Sequence, residues 1–118
     1  MNYQTWRLRF LEAVDEDLHP AHWIDAMVAG GKWKFWGNNQ AAILAEIKIY
    51  PSGAKEVHGV VAAGELDAIK ALIPNAEQWG RDNGCIRATI QSSPAWARLM
   101  RDAGYVPEQL IIAKELAA

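Results

Sequence analysis

At Gly64 the apolar pattern of this chain changes period, and that change restricts the possible folds more than any other feature of the sequence. Before it lie three stretches rich in β-branched and aromatic residues, separated by strong turn signals. Lys32 to Trp36 alternates Lys/Trp/Lys/Phe/Trp up to Gly37-Asn38-Asn39, and Ala41 to Tyr50 carries Ile43, Leu44, Ile47 and Ile49 up to Pro51-Ser52-Gly53. Lys55 to Ala63 follows, built around Val57, Val60 and Val61. Short turns between consecutive strand-like runs predict a three-stranded antiparallel meander. After Gly64, Leu66, Ile69, Leu72, Ala76 and Trp79 recur every three or four residues up to Asn83-Gly84, the period of one buried helix face. Pro74 lies inside that run and predicts a kink or restart, because a proline removes a backbone hydrogen bond and crowds the preceding turn.

The flanking segments complete the order. Trp6, Phe10 and Val14 share a helical face; Pro20 begins a second short helix, with Trp23, Ile24, Met27 and Val28, that Gly30-Gly31 ends. Beyond the long helix, Ile86 to Gln91 reads as a strand. Ser93-Pro94 is a cap with proline at the first helical position, Trp96, Leu99, Met100 and Ala103 form a buried stripe closed by Gly104, and Gln109 to Leu116 reads as a terminal strand. The expected architecture is α/β (α+β), a mixed, largely antiparallel sheet flanked by helices in the order α-α-β-β-β-α-β-α-β. At 118 residues the chain suits one domain, 1–118.

Composition narrows the classes of partner. With 51% hydrophobic and 22% charged residues the chain can bury a core. A net charge of −2 and the lack of a Lys/Arg run argue against nucleic acid or anionic lipid as the partner. Apolar runs are interrupted by charge within about ten residues, short of the ~20 that span a bilayer, so neither membrane insertion nor a secretory leader is expected. The lone Cys85 excludes an internal disulfide and fits a reducing compartment.

The stretch Val57–Leu116 resembles the GNAT acetyltransferase superfamily. The resemblance rests on Asn83-Gly84-Cys85-Ile86-Arg87-Ala88-Thr89-Ile90, then Ala97-Arg98-Leu99-Met100-Arg101-Asp102-Ala103-Gly104-Tyr105, with the Gly-aromatic pair closing a short helix. The Trp/Phe-rich and then apolar run Lys32–Tyr50 is also similar to small GNAT-like proteins encoded beside phage structural genes. The superfamily resemblance implies acetyl-CoA as cosubstrate, with its pyrophosphate on the N–H groups of a helix N-terminus, where the dipole favours anions. Here that junction is Ala62-Ala63-Gly64, the positions expected to hold the coenzyme if it binds. The family's basic or glutamine residue and glycine-spaced loop are absent, and Glu65 and Asp67 place negative charge where a phosphate would sit. The resemblance also implies a general-acid Tyr four residues before the glycine of the Gly-aromatic pair. That position is Met100, a thioether without a proton to give, and Tyr105 takes the structural aromatic position.

These departures predict a non-catalytic, GNAT-like phage accessory or virion-associated protein that acts by contact with another protein. A divergent acyl-CoA-dependent N-acetyltransferase is the alternative, with Glu46 or His58 as the base. For the first reading the partner is a viral structural protein or a second copy, the location is the host cytoplasm or the virion, and no cofactor is needed. Trp33 and Trp36 are its candidate contact residues, since rings on adjacent strand positions cannot all face one side. His19 and His22 have no third metal ligand at a fixed spacing, Ser93 is a helix cap without a motif histidine, and Cys85 lacks a nearby activating cation. No metal is expected.

Overall fold

A computed structural model describes residues 2–117. Helix α1 (Tyr3–Ala13) is opened by Asn2, whose side chain accepts a hydrogen bond from the Thr5 N–H, and α2 (Ala21–Ala29) follows Pro20. Strands β1 (Trp33–Gly37), β2 (Ala41–Ile49) and β3 (Lys55–Gly64) form the expected antiparallel meander. Helix α3 (Leu66–Asp82) then crosses over to β4 (Arg87–Ile90), which lies parallel to β3, so the sheet order is β1-β2-β3-β4. A parallel neighbour requires such a crossover, because a tight turn can join only antiparallel strands. A short helix α4 (Pro94–Leu99), capped by Ser93 Oγ on the Trp96 N–H, and a 3₁₀ turn (Arg101–Ala103) end at Gly104, whose φ is 91°.

The helices divide between the two faces of the sheet. On one face α1 and α2 bring Trp6, Phe10 and Ile24 onto Trp33, Ala42 and Leu44. On the other, α3 brings Ile69, Leu72 and Ala76 onto Ala41, Ile43, Ala45 and Val57. Both faces are covered, which is why β2 reads as five consecutive buried residues, Ala41–Ala45, with no polar alternation.

Three expectations are corrected. The long helix does not restart at Pro74; it is continuous from Leu66 to Asp82, with Pro74 on its exposed side. Residues 109–116 do not form a strand, although their composition suits one: they pair with no other strand and are exposed. The last β of the expected order is therefore missing among the described residues. Trp33 is not a contact surface. It is 3% exposed, covered by Trp23 and His19 of the α2 region, and its indole Nε1 donates to Glu46 Oε2 at 2.8 Å. Trp36 points to the opposite face, half-buried edge-on against Trp79 of α3 with the Lys34 ammonium over both rings.

Candidate functional site

A β-bulge positions the site. In the pairing of β2 with β3, Leu44 faces Val61 but Ala45 faces Gly59, so Val60 is an extra residue in β3. A bulge bends its strand and increases the local twist. Parallel pairing with β4 ends at the same place, at Gly59 opposite Ile90. Beyond it the two strands part around a cleft of about 350 Å³, lined by Gly59, Val60, Ala62, Ile90, Ser92 and Trp96 among others. Ala13 of α1 and Ile69 and Ile73 of α3 also line the cleft, so it passes through the sheet from one face to the other. From Val60 onward β3 has β2 on one side only, and the backbone groups along its other edge meet no strand.

Below the bulge, on the α1/α2 face, the register gathers the polar residues. Glu46 faces His58, Lys48 faces Glu56, and across the parallel pair Glu56 faces Arg87 and His58 faces Thr89. Glu56 is buried. Its Oε1 accepts from Tyr50 Oη at 2.9 Å and lies 3.2 Å from Arg87 Nε, while Oε2 accepts from Thr89 Oγ1 at 2.7 Å. Burial alone would raise its carboxyl; the bonds from Thr89 and Tyr50 and the Arg87 charge outweigh this and hold it below the usual range, so Glu56 is ionised.

That ionisation fixes the state of His58. Thr89 has one hydroxyl proton and gives it to Glu56, so in its 2.9 Å contact with His58 Nδ1 it must accept. Nδ1 therefore carries the ring proton and Nε2 the lone pair. Nε2 has no hydrogen-bond partner among the described residues, yet no buried polar side-chain atom is left unpartnered, so Nε2 reaches solvent. Burial, then the charge of Lys48, push the imidazole pKa below 6.5, against a smaller opposing pull from Glu46 and Glu56. The result is a neutral, oriented imidazole with a free basic nitrogen, one residue before Gly59, where the pairing of β3 with β4 ends.

This network makes stability depend on pH. A histidine held below its unfolded pKa takes up its proton in the unfolded chain first, so stability falls as pH drops from 6.5 towards the lower folded value. Glu56 adds a further loss below pH 4.5, as its depressed carboxyl is protonated in the unfolded chain first. We expect the urea midpoint to decline from pH 6.5 downward and His58→Asn to remove the first part of that decline; a midpoint flat between pH 6.5 and 5 contradicts the buried neutral state.

The other expected positions fall out as follows. Glu46 and His58 are brought together as cross-strand neighbours, with Glu46 tied to Trp33. Ala62 lines the cleft, Ala63 packs beneath α1 and α2, and Gly64 has a φ of 108° where an added Cβ would lie 2.2 Å from the Gln40 carbonyl. The sharp corner into α3 thus accounts for Gly64, and the Glu65 N–H is taken by the same Gln40 carbonyl at 3.0 Å. Met100 is buried, while Tyr105 donates to Glu77 Oε2 at 2.7 Å; burial, and then that bond, raise its hydroxyl pKa. No cluster of metal ligands occurs among the described residues, and burial pushes the Cys85 thiol up. Sequence reasoning missed Glu56 and Thr89. Only their pairing across a parallel register marks them, and a parallel partner thirty residues away leaves no local pattern.

A four-stranded sheet of this order, opened by a bulge beside a parallel strand, is the GNAT fold, and comparison with solved structures supports that assignment. A predicted acetyltransferase from Clostridium acetobutylicum, solved with acetyl-CoA, superimposes with a TM-score of 0.70 at 10% identity over 94% of this chain and 86% of its own. An aminoglycoside acetyltransferase from an uncultured soil metagenomic sample, in complex with sisomicin, gives 0.67 at 12% identity over 98% and 88%. A putative acetyl transferase from Pyrococcus furiosus gives 0.64 at 18% identity over 98% and 80%. No protein-family model and no curated protein matches the sequence. The expectation of a non-catalytic phage protein is corrected by these matches: these three structures and a Trypanosoma brucei relative in fold are described as acetyltransferases, and nothing among them points to a phage or a virion. Its error was to judge the whole chain by two family motif positions, the loop and Met100.

Proposed function

We propose that this protein is an acyl-CoA-dependent N-acyltransferase in which His58 is the general base. The observation that carries the reading is a neutral imidazole, with Nε2 free and Nδ1 held by Thr89, on the residue before Gly59, which lines the cleft. Acyl-CoA would supply an activated thioester, and an amine is the acceptor that needs a base, because an ammonium has no lone pair to attack with. The two substrates would reach the opening from opposite faces. The unpaired β3 edge from Val60 to Ala62 suits the amide-bearing arm of coenzyme A by strand-like hydrogen bonding, and the apolar walls Ile43, Ile69 and Ile90 exclude water. On the α1/α2 face, His58 Nε2 would accept the amine proton while the Glu56–Thr89 pair stabilises the resulting imidazolium. Glu46 beside it provides a carboxylate to attract a cationic amine.

The pyrophosphate end fits less well. The first-turn N–H groups of α3 have no side-chain cap, but Asp67 lies in that turn and Glu65 at its start, and both are exposed. Two like charges at this point predict weak coenzyme binding. Like charges about 4 Å apart in water repel by roughly 1 kcal/mol, and less when screened, so at low salt the double variant Glu65→Gln/Asp67→Asn should bind CoA more tightly, by up to roughly thirtyfold.

Isothermal titration with acetyl-CoA at low salt, paired with release of free thiol in the presence of a panel of primary amines, tests the proposal. Saturable binding, tightened in the double variant and lost when Ile90→Trp fills the cleft, supports it. Absence of heat up to about millimolar ligand at two temperatures, with no thiol released, would refute it.

A further inference from the structure

The cleft beyond Gly59 is uncharged and small, and each property limits what can lie in it. Of the side chains that line it, only those of Gln91, Ser92 and Ser93 are polar, and none carries a charge. Ile43 and Ile69 belong to the core beneath α3, Trp96 packs against the same cluster, and Ile73, also buried, lines the same space. A carboxylate brought against this wall would lose its hydration and find no cation to pair with. Volume sets the second limit. At roughly 30 Å³ per non-hydrogen atom, a water's share of the liquid, the 350 Å³ of the cleft hold about a dozen atoms. The coenzyme A arm from its sulfur to its second amide nitrogen takes about nine of these, which leaves room for an acyl group of about two carbons and its oxygen.

Trp96 has the largest side chain of those lining the cleft, and the core does not require it. It stands on α4, which buries no residue, whereas Ile69 and Ile73 are buried on α3. Its backbone is nonetheless fastened on both sides. The Trp96 N–H donates to Ser93 Oγ at 3.3 Å, and its carbonyl accepts from the N–H of Met100, itself only 2% exposed, at 3.0 Å. Just beyond, Asp102 is paired with Lys70 and Tyr105 bonds to Glu77, both on α3. The indole is thus a fixed wall, and a longer acyl chain must either displace it or stay in water. We propose that Trp96 sets the length of the acyl group, limiting the donors to uncharged acyl-CoA thioesters of about two or three carbons. This inference rests on the acyltransferase reading and adds to it the class of donor and the residue that selects it.

The test compares acetyl-, butyryl-, octanoyl- and succinyl-CoA, by kcat/KM for thiol release and by isothermal titration, in the wild type, Trp96→Ala and Trp96→Phe. A single methylene that a pocket cannot place costs about tenfold or more, so the wild type should favour acetyl- over octanoyl-CoA by at least about a hundredfold, and should reject succinyl-CoA. Trp96→Ala frees the space of about nine non-hydrogen atoms, more than the six or so that octanoyl adds to acetyl, and should bring the two donors within about tenfold of each other. Trp96→Phe keeps an apolar ring, so its folding is least at stake, and it should raise the use of butyryl- relative to acetyl-CoA about tenfold; circular dichroism checks both variants. A wild type that takes octanoyl- or succinyl-CoA as readily as acetyl-CoA overturns the role of Trp96 and leaves acyl transfer standing. So does a preference unchanged in the folded variants. Neither binding nor thiol release with any donor overturns the acyltransferase reading itself, and the role of Trp96 with it.

Discussion

If the proposed acyl transfer runs through His58, replacing it by Asn should lower kcat/KM about 10²- to 10⁴-fold, the usual contribution of a positioned general base. Asparagine is the informative choice. Its amide N–H can still donate to Thr89 Oγ1, so the hydrogen bonds that tie β3 to β4 survive, while the basic Nε2 is lost. The loss should fall on kcat more than on KM, because the imidazole acts as the proton is transferred. In the wild type the acid limb of the kcat/KM profile should lie below pH 6.5, since the folded chain holds the imidazole neutral to lower pH than an exposed histidine. Thr89→Val tests orientation separately: it leaves Nε2 in place but removes the acceptor that keeps the proton on Nδ1, and should cost roughly tenfold and blur the acid limb. A His58→Asn enzyme within threefold of wild type, with the acid limb unmoved, would show that the base lies elsewhere, with Glu46 the next group to test.

Gly64→Ala should destabilise the fold by about 4 kcal/mol. Two costs add. A φ of 108° lies where a residue with a Cβ is strained by about 1–3 kcal/mol, and the added Cβ would stand 2.2 Å from the Gln40 carbonyl oxygen and 2.6 Å from the Ala41 Cα. Backbone cannot rotate away as a side chain can, so relief requires moving the start of β2 or the end of β3, at a further ~1–3 kcal/mol. With a urea m-value of about 2 kcal/mol per molar, the midpoint should fall by some 2 M. Gly31→Ala is the control, because its φ is also positive, 75°, but nothing lies near its Cβ. Equal losses in the two variants would leave only the backbone term and remove the close approach at Gly64 from the account. The comparison also separates a structural from a coenzyme-binding glycine: here the corner into α3 suffices to require it.

The elements were largely legible because they are local. Trp6 and Phe10 at helical spacing, the Gly37-Asn38-Asn39 and Pro51-Ser52-Gly53 turns, Ser93 before Pro94 and Gly104 after the final turn each act through neighbours a few residues away, and each occupies the expected place. The two failures within the elements have local causes too. Pro74 tells of a missing hydrogen bond but not that the helix continues past it to Asp82, and Gln109–Leu116 has the residues of a strand without a partner to pair with. Strand propensity records how side chains fit a pleated surface, and that surface must exist.

The candidate site was half legible. Glu46 and His58 could be named as residue types, but nothing in the sequence says that they face each other or that a buried Glu56 acts on His58 through Thr89. What the sequence by itself determined was the order of helices and strands, the turn positions and the division into apolar faces, all set by interactions within a few residues. The tertiary structure alone decided the register that a bulge at Val60 shifts by one residue, the parting of β3 from β4 at Gly59, and the tautomer of His58. These depend on contacts between residues some thirty positions apart, whose geometry exists only once α3 has carried the chain back across the sheet.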